Sequence, residues 1–145
     1  MNDTRYLPFA GRLLIGLPFI LFGIGKATAY SATVTMIEAA GLPVPPLSFL
    51  GAVTLEIVGG ALLVAGYRVR PVAALLALFS MVTAFYFHGN LGDQNNFVHF
   101  FKNVMMTGGL LQVAAFGAGA FSLDGYLSNR RTHAHLPAAV RQAAL

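Results

Sequence analysis

The chain has 145 residues, 57% of them apolar and only 10% charged, with a net charge of +4 and no cysteine. Its mean hydropathy is +0.69. Soluble domains carry about 25% charged residues, so the composition excludes an ordinary soluble domain; the missing thiols exclude disulfide exchange and any cysteine-ligated iron–sulfur cluster within the chain.

The length suits one all-α membrane domain, a four-helix bundle with about 20 residues per span. The first span is predicted over residues 7–27. Arg5 and Arg12 ahead of an apolar run, with Ala27-Thr28-Ala29 behind it, have the outline of a cleaved signal peptide. Lys26, directly before that triplet, argues for a retained span instead. Pro8 suits a first helical turn, and Pro18 is expected to kink the helix. Lys26 either snorkels to the interface or partners a carboxylate or a ligand anion. Arg12 lies about 21 Å from Lys26 along a straight helix, and so belongs to the other boundary, where it is expected to snorkel. Residues 31–40 read as a short interfacial helix, with Ser31 as N-cap, Val34, Ile37 and Ala40 on one face, and Gly41 and Pro43 as stops. An irregular loop is the other reading.

The second span is predicted over 46–66, with Glu56 at its centre. A carboxylate at that depth costs several kcal/mol unless it is paired, neutral or wet. Gly59 and Gly60 follow one turn later and permit close helix approach, so Glu56 is expected to face the bundle. It is either half of an ion pair that fixes helix register or a group that handles protons or ligand.

The third and fourth spans are predicted over 71–87 and 97–121. Between them lies a dense polar insert, residues 88–103. His99, Lys102 and Asn103 share a helical face, with His88 one loop away. Gly89 and Gly92 suit tight turns, and Asp93 to Asn96 can cap the fourth span, so part of the insert reads as ordinary loop chemistry. Two histidines eleven residues apart, without cysteine or a carboxylate pair, do not make a metal signature, and no metal site is expected. Phe85, Phe87, Phe97, Phe100 and Phe101 surround this region, either as a slot for a quinone-like ring or as lipid-facing filler.

Basic residues set the expected orientation. Arg5, Arg12, Arg68, Arg70, Arg130, Arg131 and Arg141 fall on one side, placing both termini in the cytoplasm and the 28–45 and 88–97 segments outside. Their scatter through loops and span ends is no nucleic-acid footprint. Tyr6, Tyr30, Tyr67, Tyr86 and Tyr126 fall near span ends, where amphipathic rings rest. Residues 128–145 read as a basic cytoplasmic tail that touches anionic lipid, with weak helicity over 138–145.

Several stretches together resemble the DoxX family of small four-span bacterial membrane proteins, over roughly residues 8–121. They are Gly11-Arg12-Leu13-Leu14-Ile15-Gly16, Phe22-Gly23-Ile24-Gly25-Lys26, Gly41-Leu42-Pro43, Leu55-Glu56-Ile57-Val58-Gly59-Gly60 and Phe97-Val98-His99-Phe100-Phe101-Lys102-Asn103. The family is commonly described as oxidoreductases, and its name-giving members resemble membrane subunits of thiosulfate:quinone oxidoreductase. The resemblance therefore implies an inner-membrane component of an oxidoreductase system, linked to the quinone pool. Matching positions are Lys26, Glu56, His99, Lys102 and Asn103. Glu56 is expected to handle protons as the catalytic group. Lys26, His88, His99, Lys102 and Asn103 are expected to bind the ligand. The expected partners are the lipid bilayer, a quinone, and a redox protein or a second copy of the chain. The rival reading is a scaffold, assembly factor or small carrier whose polar residues lock the bundle.

Overall fold

A computed structural model describes residues 4–134. Among them every regular element is helical and no strand occurs. A single 3-10 turn, Thr4–Tyr6, leads into α1, Leu7–Thr28. Pro8 lies at the start of α1, where its missing N–H is harmless, and Pro18 lies inside it. A short helix, α2 (Tyr30–Ala39), follows after one residue. The 31–40 segment is thus helical, but its apolar face does not lie free: Ile37 is buried against the bundle.

The second long helix is not uniform. It starts as α3, Pro45–Thr54, passes through a π turn, Leu55–Gly59, and ends as α4, Gly60–Ala65. It stops at Gly66, which takes the left-handed conformation (φ 72°) that glycine adopts without a Cβ penalty. Close approach to α1 explains the glycines in the middle. A Cβ on Gly60 would lie 2.8 Å from the Gly16 carbonyl oxygen, and one on Gly16 would lie 2.9 Å from the Gly60 carbonyl oxygen. The two backbones meet where neither helix has a side chain, a packing mode favoured where lipid offers no hydrophobic drive for association.

Next come α5, Val69–His88, and α6, Gln94–Phe116. They form the most extensive helix pair in the molecule. Thr107 on α6 donates to the Ala77 carbonyl of α5 at 3.4 Å. Phe19, Leu63, Leu76, Ala77 and Leu110 make up much of the buried core. Asp93 caps α6, accepting from the Asn96 N–H at 2.9 Å, so the helix begins earlier than residue 97. It ends earlier than residue 121 because Gly117 (φ 87°) turns the chain. The last element is α7, Leu123–Ala134. The expected helicity of 138–145 and the position of Arg141 lie outside the described residues.

Among the described residues, three stretches are long and apolar enough to cross a membrane: Thr4–Thr28, Pro45–Ala65 and Val69–His88. With 23 residues, α6 has the length. Its first turns, however, carry Gln94, Asn95, Asn96, His99, Lys102 and Asn103, which lower its hydropathy.

Candidate functional site

Lys26 and Glu56, read as candidate partners, come together. Lys26 is on the last turn of α1, and Glu56 is in the π turn of the second long helix. Lys26 Nζ donates to Glu56 Oε1 in an ion pair. Glu56 is only 3% exposed. Gly23, one turn before Lys26, makes the approach possible: a Cβ there would lie 3.0 Å from the Glu56 Cβ. The extra residue in a π turn shifts the side chains that follow relative to an ordinary helix, a distortion often found at functional sites. Here it coincides with the buried carboxylate. Its second oxygen, Oε2, has no hydrogen-bond partner among the described residues. The Lys26 ammonium also lies 6.0 Å from the centre of the Phe79 ring, within cation–π range.

Above this pair is a cavity of about 530 Å³. Its walls are mostly apolar: Met36 and Ile37 from α2, Ala52 and Leu55 from the second helix, and Phe79 and Phe87 from α5. Its polar lining residues are few: Lys26 from the last turn of α1, Thr33 from α2, Ser48 from α3, and Thr83 and His88 from α5, His88 being the last residue of that helix. The cavity exists because α5 packs on the π turn and α4 but makes little contact with α3. The second helix and α5 therefore diverge towards the end where α2 lies, and α2 roofs the gap. A concave, largely apolar space with a few separated polar groups suits a small amphipathic molecule.

His88 and His99 stack with ring centroids 5.0 Å apart and an interplanar angle of 22°. His88 Nδ1 lies 3.4 Å from Asn96 Oδ1, so the rim histidine is tied to the first turn of α6. Near-parallel rings do not direct two nitrogens at one point, and among the described residues no three histidine or carboxylate groups gather to hold a metal. Lys102 is exposed and does not line the cavity. Asn103 donates to the His99 carbonyl of its own helix at 2.9 Å. The shared face read along α6 thus splits. His99 turns towards α5, Lys102 falls beyond its edge, and Asn103 is engaged locally.

Two features escape a sequence reading. Thr33 and Ile37 are four residues apart on α2, so their common face was visible, but not what it would cover. Arg12 differs more sharply from expectation. It does not snorkel: it is fully buried, and its Nη1 donates to the Leu63 and Val64 carbonyls at 3.0 Å each. Its Nη2 donates to the Phe121 carbonyl. The guanidinium satisfies carbonyls left over at the end of α4, which no feature near residue 12 announces.

The sequence profile of the DoxX family matches residues 7–89. The chain is 38% identical over 121 residues to the inner membrane protein YqjF of Escherichia coli K12, covering 82% of this chain and 90% of that one. It is 34% identical over 138 residues to the inner membrane protein YphA of the same organism, covering 86% of this chain and 99% of that one. No solved structure matches the chain.

Proposed function

The chain belongs to the DoxX family, and from that premise we propose a multi-pass inner-membrane component of an oxidoreductase system, which binds a quinone ring in the cavity above Lys26 and Glu56. The observation that carries this reading is Lys26, which lines an apolar cavity while its ammonium is held by the buried Glu56 carboxylate behind it. A quinone offers two carbonyl oxygens across a flat apolar ring. The Lys26 ammonium can donate to one, and His88 at the rim can donate to the other. Phe79 and Phe87 supply ring contacts. Reduction of quinone to quinol consumes two electrons and two protons. A partner redox protein supplies the electrons in this scheme. His88, and Glu56 by way of Lys26, would pass protons on in this scheme, and His99, stacked on His88, steadies it.

The test is direct. Lipid extracted from the purified full-length protein is searched for quinone by mass spectrometry, and a short-tailed quinone is titrated into the protein in detergent. Saturable binding is expected, weakened about tenfold in His88→Ala, which removes one hydrogen bond and some ring contact. No co-purifying quinone together with no saturable binding would reject the reading. That result would leave a scaffold, assembly factor or small carrier, a role favoured by one observation: Glu56 and Asn103 both make internal contacts.

The same proposal includes four spans, with α6 as the fourth, and both termini in the cytoplasm. The 23-residue length of α6 and its extensive packing on α5 support the fourth span. The basic residues support the orientation. Because the chain has no cysteine, Arg68→Cys and Asn95→Cys can each be labelled singly. An impermeant maleimide applied to cells with a permeabilised outer membrane should label position 95 and spare position 68; labelling at 68 would reverse the orientation.

A further inference from the structure

A second pocket, also of about 530 Å³, lies at the opposite end of the bundle, between the first turn of α5 and the segment 116–125. We propose that it binds the phosphate-bearing headgroup of an anionic phospholipid, through Arg68 and Arg70. This site is independent of the quinone reading and shares no residue with that cavity.

Charge is the first reason. The pocket is lined by Arg68, Arg70 and Asp124. The Asp124 carboxylate is already engaged: it accepts from the Arg68 N–H at 2.8 Å and the Val69 N–H at 2.9 Å, closing the amino end of α5. Arg12, buried behind it, also interacts electrostatically with Asp124. The one acid in the pocket is thus balanced from within the fold. The Arg68 and Arg70 guanidiniums make no hydrogen bond or ion pair with another described residue. Two cations beside a cavity, with the local anion already engaged, call for an anion from outside. Guanidinium is the group best matched to phosphate oxygens.

Shape is the second. Gly117 (φ 87°) carries the backbone past Arg70 with no side chain; a Cβ there would lie 3.4 Å from Arg70 Nε. Ser122 adds a hydroxyl to the wall. Next to these polar groups, Phe116 lines the same pocket while 79% exposed. A free phosphate has no use for that ring. A phospholipid does, because its acyl chains descend beside the headgroup into the hydrocarbon where α6 ends. Position agrees: Tyr67 and Tyr126, both exposed, mark this end as a membrane boundary.

The experiment uses the full chain in a mild detergent, with bound lipid counted by native mass spectrometry. Phosphatidylglycerol should be retained in preference to phosphatidylcholine. Arg68→Gln/Arg70→Gln should weaken that retention about 30-fold, from roughly fivefold for each basic side chain near an anionic headgroup. Arg130→Gln, at the same end but stacked on Tyr126, should keep it. Equal retention of the two lipids by the unaltered protein overturns the proposal even if the double variant fails to fold. So does full retention by a folded double variant, or an equal loss in Arg130→Gln, which would mean general surface attraction. Displacement of phosphatidylglycerol by inorganic phosphate at comparable concentration would assign the pocket to a free anion and overturn the lipid.

Discussion

Lys26→Met should lower the melting temperature of the detergent-solubilised protein by roughly 10 °C, and Lys26→Met/Glu56→Gln should recover most of that loss. In the single variant the Glu56 carboxylate remains 3% exposed with its one hydrogen-bonding cation gone. Removing one member of a buried pair costs about 3–5 kcal/mol. For a chain of this size each kcal/mol moves the midpoint by about 2–4 °C. Removing both charges replaces an orphaned carboxylate with a neutral amide, which costs much less to bury than an unpaired charge. A double-mutant cycle read by circular dichroism isolates the coupling between the two residues. Equal melting of the single variant and the native chain would show that the pair does not hold the bundle together. The double variant has a second use. If it is stable yet no longer binds quinone, the pair serves the ligand; if it is stable and binds normally, the pair serves only helix register.

The limits of a sequence reading follow from what each residue type reports. The pairing of Glu56 was legible because a carboxylate amid apolar residues has few affordable positions, and Lys26 was one of very few cations at a compatible depth. The helical character of 31–40 and the cap before α6 were legible because stop and cap signals are local, but Ser31 was misplaced as a cap: α2 starts at Tyr30, with Ala29 at its N-cap position. The π turn over Leu55–Gly59 was not, since no proline or other local signal in those five residues announces it. The same holds for the cavity, which arises from the divergence of two helices. A 3.6-residue period groups His99, Lys102 and Asn103 without showing which of them reaches a neighbour; only His99 stacks on a ring of α5, while Asn103 bonds within its own helix. Arg12 was misread because a cation near a span end has two satisfactory solutions, snorkelling to water or capping buried carbonyls, and only the position of a distant helix end decides between them.

Arg12→Ala is expected to cost about 4 kcal/mol or more, with the damage starting at one end of the bundle. Hydrogen bonds from a charged donor are worth roughly 1.5–3 kcal/mol each, and buried acceptors left behind add a desolvation penalty. Arg12 serves the Leu63, Val64 and Phe121 carbonyls at once, joining α1, the end of α4 and the turn before α7. Arg12→Lys should recover only part of the loss, because an ammonium lacks the planar fork that spans several acceptors. Two measurements separate this from a general loss of packing. Limited proteolysis should cut first within 117–122 in both variants, while the Lys26→Met variant should not open there. Melting losses of Arg12→Lys and Lys26→Met should add, because the two sites are about 21 Å apart along α1 and share no partner, and changes so separated are usually independent. A lysine variant as stable as the native chain would show that charge alone suffices at position 12. Proteolysis unchanged in the alanine variant would show that the turn before α7 is held by the Asp124 cap on α5 rather than by the guanidinium.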